Sequence, residues 1–157
     1  MPAIPLPCRS RRALRGATLD RRPHSSGDTF FLRHNIVNKR ICAYLVSADG
    51  AVAWCGTLAN AATAHSQDMA ANGFLSHIGS DGSDFVVRAN RHGYRNWTWI
   101  TENLAHSVVS TSVDAVLASW MGSGAHAANV LDRRIQHAGF ARVGNAWTQM
   151  FGAGGTC

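Results

Sequence analysis

Several common signals are missing from this sequence of 157 residues. No apolar run approaches the roughly 18–20 residues that a membrane-spanning helix needs, so we expect no transmembrane segment. No two cysteines are spaced as Cys-x-x-Cys, which argues against a zinc knuckle or a thioredoxin-type redox site. The Gly-x-Ser-x-Gly elbow of serine hydrolases does not occur. Glutamate is almost absent, and Glu102 is the single one.

Basic charge is concentrated in the N-terminal part of the chain. Residues 1–40 hold nine basic side chains against two aspartates, whereas residues 41–157 hold six arginines against six aspartates and Glu102. The net charge of +6 therefore belongs to an arm, and we expect no nucleic-acid partner. We interpret residues 1–28 as a disordered basic arm without a recognisable signal peptide, and residues 29–157 as one folded domain.

The four cysteines are Cys8, Cys42, Cys55 and Cys157. An even count permits one or two disulfides. Because Cys8 lies in the arm, we expect a bridge among the other three cysteines. Buried free thiols are the competing interpretation.

Helical periodicity occupies the first part of the domain. The predicted helices cover residues 30–46, residues 57–73 with Thr57 as the N-cap, a short segment capped by Ser83 and closed by Gly93, and a segment that Ser112 caps. The last of these has an apolar stripe that ends with Trp120 and Met121, and this stripe is expected to be buried.

Strand-like patterns follow at the C-terminal end. Residues 135–143 and 146–151 are predicted strands, joined by the hairpin signal Gly144-Asn145. Helices grouped first and an antiparallel hairpin last indicate an α+β layered domain and not a parallel doubly wound sheet.

The rare glutamate lies between two histidine motifs. Ser76-His77 precedes Glu102-Asn103, and His126-Ala-Ala-Asn129 follows it. A carboxylate with imidazoles can bind a divalent metal, share a proton, or hold a polar ligand, so this trio is the first candidate for a site. The competing interpretation is a buried hydrogen-bond cluster that holds three loops together.

These motifs are accompanied by others in a fixed order, and together they resemble the CAP superfamily, the domain of cysteine-rich secretory proteins, insect venom antigens and plant pathogenesis-related proteins. The match is best to short bacterial-type members and covers residues 34 to 152. The fragments in chain order are Ala64–Ala70, Phe74–His77, Asp81–Ser83, Gly93-Tyr94, Glu102–Ala105, Trp120-Met121, His126–Leu131 and Trp147–Gly152.

The resemblance implies a three-layer α-β-α sandwich with a central antiparallel sheet and a shallow cleft lined by two histidines and acidic residues. Carried over by motif, the cleft residues are His77, Glu102 and His126. Larger members of the family have a second glutamate where this chain has Ser123. Asn103 and Asn129 are expected to hold the loops by hydrogen bonds and to contact the ligand second.

Two imidazoles and one carboxylate are a sufficient set of ligands for Zn²⁺ or another divalent metal with an open fourth position. His77, Glu102 and His126 are therefore also candidate metal ligands. Catalysis is less expected than binding because no activated nucleophile is evident, although Ser123 lies close to His126 in sequence.

The resulting hypothesis is a secreted or cell-surface CAP domain that binds a ligand in this cleft. The resemblance suggests a lipid, a sterol or a cell-wall component. A metal-assisted or serine-type hydrolase that uses the same cleft is one alternative. A non-catalytic interaction scaffold is the other.

Overall fold

The computed structural model describes residues 46–47, 50–106 and 112–157. The arm predicted over residues 1–28 lies outside these residues, as does the helix predicted over residues 30–46 except for Val46, which is in a strand. In chain order the described elements are β1 (Val46–Ser47), β2 (Gly50–Ala51), β3 (Ala53–Trp54), α1 (Gly56–Asn72), α2 (Phe85–Arg91), β4 (Trp99–His106), α3 (Val113–Met121), α4 (Gly124–Val130), β5 (His137–Val143) and β6 (Ala146–Ala153).

A four-stranded sheet in the order β3-β5-β6-β4 forms the middle layer. The predicted hairpin is confirmed as β5 and β6, with Gly144 in the turn at a φ of 56° that favours glycine. Strand β4 pairs antiparallel with β6 along its whole length. The expected antiparallel sheet is confirmed for β4, β5 and β6, and the two-residue edge strand β3 adds one parallel pairing with β5.

Side chains that alternate along β6 supply the two faces of the sheet. Trp147 and Phe151 point to the face covered by α3, where the rings of Trp120 and Phe140 meet edge to face at 5.9 Å. Met150 points to the opposite face and packs with the α1 side of the molecule. The chain is therefore an α+β sandwich with helices on both faces of the sheet.

The N-cap of helix α1 is Cys55, two residues before the predicted cap Thr57. Its predicted end is confirmed, since Gly73 adopts a left-handed conformation with a φ of 68° and donates its N–H to Met69. Helix α1 lies so close to β5 that a β-carbon at Gly139 would collide with the backbone of Leu58 and Ala59.

The shorter helices differ from the predictions in detail. Asp84, not Ser83, caps α2 by accepting a hydrogen bond from the N–H of Val87 at 2.8 Å, and His92, not Gly93, is its C-cap. Ser112 caps α3 as predicted. The apolar stripe of α3 is buried through Trp120, but Met121 is 36% exposed, because it lies beyond the face that meets the sheet.

A disulfide joins Cys55 to Cys157 with their Cα atoms 5.2 Å apart. The expected bridge among three of the cysteines is thus confirmed for this pair, and the free-thiol alternative is wrong for both residues. None of the helices in the described part of the chain has the length and hydropathy needed to cross a membrane.

Candidate functional site

Glu102 lies in β4, which is a terminal strand of the sheet. Its side chain is on the face shared with Met150, its partner across the ladder, and the residue is only 3% exposed. A buried carboxylate loses its hydration, which costs on the order of several kcal/mol. It therefore needs a compensating charge or hydrogen bonds.

Arg88 of α2 supplies that compensation. One nitrogen of its guanidinium, Nη2, lies 3.1 Å from Oε1 and 2.9 Å from Oε2 of Glu102, and Arg88 is itself only 4% exposed. The other terminal nitrogen, Nη1, donates to the carbonyl oxygen of Ser83 at 2.7 Å. The result is a buried ion pair between Arg88 and Glu102.

Sequence reasoning did not identify Arg88 as a site residue. A usable signal was present, since Phe85, Arg88 and Ala89 follow the spacing of one helix face and place an arginine among inward-facing residues. A charged residue in that position is either paired or solvent-facing. Because Glu102 is the single glutamate of the chain, a glutamate partner for Arg88 could only be Glu102.

His77 is the exposed end of this arrangement. Its Nδ1 donates to Oε1 of Glu102 at 2.8 Å, while its side chain is 51% exposed. A histidine that donates from Nδ1 to a carboxylate keeps its lone pair on Nε2. Within the described part of the chain Nε2 has no hydrogen-bond partner, so it is available to a ligand.

The loop that carries His77 is fixed at two consecutive carbonyl groups. Arg88 Nη2 donates to the carbonyl oxygen of His77 at 3.0 Å. His65 Nε2 donates to that of Ser76 at 2.8 Å. Burial lowers the pKa of His65, so this histidine acts as a neutral hydrogen-bond donor on the buried face of α1. The ring of Phe85 meets the His77 imidazole edge-on at 6.3 Å.

A chain of amide groups connects the other face of β4 to α4. Asn129 Nδ2 donates to Oδ1 of Asn103 at 2.8 Å, and Asn103 Nδ2 donates to Oε1 of Gln149 at 3.1 Å and to the carbonyl oxygen of His126 at 3.2 Å. Asn103 and Gln149 are fully buried. Both asparagines therefore hold backbone and neighbouring amides, the first of the two roles expected for them.

His126 and Ser123 are placed less tightly than the sequence suggested. Helix α4 brings His126 beside β4 through its backbone carbonyl, but its imidazole makes no hydrogen bond with the described residues. Ser123 is the N-cap of α4 without a side-chain capping bond, and no hydrogen bond joins it to His126. The structure thus brings together His77 and Glu102 directly, and His126 only through Asn103.

The acidic residues near His77 have structural roles. Hydrogen bonds from Ser83 and Arg91 hold the pKa of Asp81 far below its usual range. Hydrogen bonds from Ser80 and Asn72 lower the pKa of Asp68 in the same way. These carboxylates order the loop after His77 and are not additional candidates for a proton-transfer group.

The geometry does not fit a metal held by all three predicted ligands. The described residues contain no group of three or more His, Cys, Asp or Glu side chains arranged to hold an ion. Both oxygens of Glu102 already bind Arg88, and one also binds His77. Glu102 fits better as a carboxylate that orients a ligating histidine from behind.

The chain is an α+β domain with helices on both faces of a mixed sheet. At the sheet edge, a buried glutamate orients a histidine. The profile of the cysteine-rich secretory protein family, CAP, matches residues 48–151, which is more than half of the chain. The chain belongs to the CAP family.

Solved structures of bacterial proteins share this fold. An extracellular protein with an SCP domain from Bacillus anthracis str. Ames has a TM-score of 0.70 at 21% identity, over 85% of this chain and 45% of that one. An outer surface protein from Borrelia burgdorferi has a TM-score of 0.59 at 16% identity, over 86% and 98%. A cysteine-rich secretory protein from Staphylococcus aureus subsp. aureus Mu50 has a TM-score of 0.56 at 13% identity, over 85% and 41%.

This chain therefore spans less than half the length of the Bacillus protein. No curated protein matches the chain.

Proposed function

We propose that the chain is an extracellular or cell-surface CAP domain that binds a ligand at His77. The observation that carries the proposal is the fixed orientation of a half-exposed imidazole by a buried carboxylate at 2.8 Å. A surface histidine without a function does not need a buried ion pair behind it, since burying two charges is costly. The extracellular placement is supported by the Bacillus and Borrelia proteins, which are described as extracellular and outer surface proteins.

The surroundings of His77 favour a ligand with both an apolar part and a hydrogen-bond donor. Leu75 is 55% exposed and Ile78 is 50% exposed, so two aliphatic side chains face solvent within two residues of the imidazole. Exposed aliphatic groups next to an oriented hydrogen-bond acceptor suit an amphipathic molecule, such as a sterol or another lipid with a hydroxyl group. Nε2 of His77 accepts the hydrogen bond, and Leu75 and Ile78 cover the apolar part.

Binding of the fluorescent sterol dehydroergosterol tests this proposal. We expect saturable binding to the wild type and at least about tenfold weaker binding to His77→Ala, because a buried or partly buried hydrogen bond to the ligand contributes on the order of 1 kcal/mol and the ring contact adds to it. His106→Ala, which removes an exposed histidine from the end of β4, is the control. Equal affinities of the two variants would contradict a role for His77.

A divalent metal remains a second candidate, with a changed set of ligands. The observation that favours it is the Glu102–His77 pair, since metal-binding histidines usually donate their other ring N–H to a carboxylate. His77 Nε2 would hold the ion, and His126 is the other histidine among the predicted ligands. A bound Zn²⁺ would act as a Lewis acid toward a coordinated oxygen.

Calorimetric titration of zinc separates the remaining hypotheses. Heat in the wild type that disappears in both His77→Ala and His126→Ala supports the metal site, and no heat in the wild type removes it. For the hydrolase alternative, no serine or cysteine side chain in the described residues is hydrogen-bonded to the imidazole of His77, so we expect no turnover of a chromogenic ester. The scaffold alternative predicts that these variants lose stability and change no binding property.

A further inference from the structure

The outer face of α2 carries a second polar feature that the His77 site does not use. Val87, Asn90, Arg91 and Arg95 line a shallow depression with a volume of about 430 Å³. Arg88 and Ala89 point the other way, toward Glu102 and the core. The residues that line this depression make no hydrogen bond with His77 or Glu102.

The polar groups of the depression are almost entirely donors. Oδ1 of Asn90 already accepts from Trp97 Nε1 at 3.1 Å, which leaves the amide nitrogen of Asn90 as its free group. Arg91 donates from Nη1 to Asp81 at 2.8 Å and keeps its other N–H groups. The guanidinium of Arg95 is exposed and makes no hydrogen bond with the described residues. A guanidinium cannot accept a hydrogen bond, and Oδ1 of Asn90 already accepts one, so the depression offers mainly donors to a ligand.

The geometry points to a binding site for an oxyanion, a phosphate or phosphate-like group carried by a larger organic molecule. Two guanidinium groups and one amide N–H₂ match the oxygens of such a group, since arginine forms paired hydrogen bonds with phosphate and sulfate. Asp81 neutralises only one of the two positive charges. The C-terminal end of the short helix α2 opposes an anion weakly, and the two arginines outweigh it. The volume exceeds that of a single ion, and Val87, 45% exposed, offers an apolar wall to the rest of the molecule.

The oxyanion could be a free phosphate compound or the headgroup of a lipid, and both are tested. Inorganic phosphate and glycerol 3-phosphate are titrated into ¹⁵N-labelled protein, and vesicles of phosphatidylcholine with and without phosphatidic acid are used in a sedimentation assay. We expect saturable shifts of the amides of Asn90, Arg91 and Arg95, or vesicle binding that requires phosphatidic acid.

The variant Arg95→Gln should weaken the observed binding at least about tenfold, because it removes a charged donor from the anion. Arg133→Gln is the matched control, since it removes the same charge from an exposed arginine elsewhere on the domain. Arg95→Lys should give an intermediate affinity, because lysine keeps the charge but not the paired geometry. Thermal unfolding shows whether each variant is folded. If Arg95→Gln does not fold, Arg91→Gln takes its place in the test.

Equal weakening in Arg95→Gln and Arg133→Gln would show an effect of net charge alone and overturn the site. The absence of saturable binding in both assays would overturn it as well. His77→Ala should leave the oxyanion affinity unchanged, so this inference stands or fails separately from the proposed function.

Discussion

At the scale of single residues, the site depends on one buried ion pair that directs a surface group. Arg88 binds the carboxylate of Glu102 and the backbone of His77, so one side chain fixes both the acid and the loop. The sequence allowed prediction of His77 and Glu102 from local motifs. The helix-face spacing around Arg88 indicated an inward-facing charge but not its contact with Glu102, because packing of α2 against β4 is a property of tertiary structure and the two residues share no motif.

Replacement of Arg88 by methionine is expected to destabilise the domain by about 3–5 kcal/mol, because it leaves the Glu102 carboxylate buried without its partner. Urea denaturation at pH 7 measures the change. The matched control is Arg91→Met in the same helix, whose pair with Asp81 is about half exposed on both sides and should contribute little to stability. A similar loss in both variants would contradict the special role of the buried pair.

A Glu102→Gln variant tests the orientation of His77. In the wild type we expect ¹⁵N NMR to show the proton of neutral His77 on Nδ1, since that atom donates to Glu102. Glu102→Gln should weaken this preference, because an amide oxygen is a poorer acceptor than a carboxylate. An unchanged tautomer in Glu102→Gln would mean that the carboxylate does not orient the ring.

One buried histidine, His65, and one half-buried histidine, His137, make stability depend on pH. Burial lowers the pKa of His65 and of His137 below the ordinary value of 6.5. Each of them then binds a proton more readily in the unfolded chain than in the folded one. Their contribution to stability is complete above pH 6.5 and is lost as the pH falls through that value toward the lower folded-state pKa.

We therefore expect the free energy of unfolding, measured with urea, to fall between pH 7 and pH 5. His65→Gln should flatten this dependence, because glutamine can still donate to Ser76 but does not titrate. His106→Gln at an exposed position is the control. An unchanged slope in His65→Gln would contradict the assignment of a depressed pKa to this residue.

At the scale of helices and strands, most elements follow from local pattern and their ends from capping chemistry. The end of α1 at Gly73 and the turn at Gly144 were predictable because left-handed backbone favours glycine. Strand β3 was not predictable, since two residues show no alternation, and its parallel partner β5 lies more than 80 residues further along the chain. The short N-terminal caps were misplaced by one or two residues, because neighbouring polar residues compete for the same role.

The close approach of α1 to β5 gives a prediction at this scale. Gly139→Ala should destabilise the domain by about 1–3 kcal/mol, since the added methyl group meets the backbone of Leu58 and Ala59 and forces the layers apart. Gly56→Ala is the matched control, because a β-carbon there meets nothing within 4 Å. Thermal unfolding of both variants measures the difference, and equal melting temperatures would contradict such tight packing.

At the scale of the whole molecule, the two helical layers and the sheet place one histidine site at an edge strand. The resemblance to the CAP family made this architecture predictable, and the match over residues 48–151 confirms it. The local arrangement around Glu102 was not predictable in the same way. Motif spacing indicated a trio of ligands, whereas packing gave a pair with an arginine behind it.

The disulfide acts at this largest scale, because it closes a loop between residues 102 positions apart. Cys55 is fully buried at the start of α1, and Cys157 follows the bridge between Arg95 and Thr156. Loss of the cross-link should lower the free energy of unfolding by about 2–5 kcal/mol, since it releases the entropy of a long loop in the unfolded chain. We expect Cys157→Ser to show this loss in urea denaturation under oxidising conditions.

The double variant Cys55→Ala/Cys157→Ser should lose at most about 1 kcal/mol of unfolding free energy relative to Cys157→Ser, because alanine and a reduced cysteine are both small and apolar. The ¹⁵N signals of His77 should keep their wild-type tautomer in both variants, since the ion pair with Arg88 fixes that residue independently of the disulfide. A wild-type free energy of unfolding in Cys157→Ser would show that the packing of the C-terminal residues alone holds the chain there.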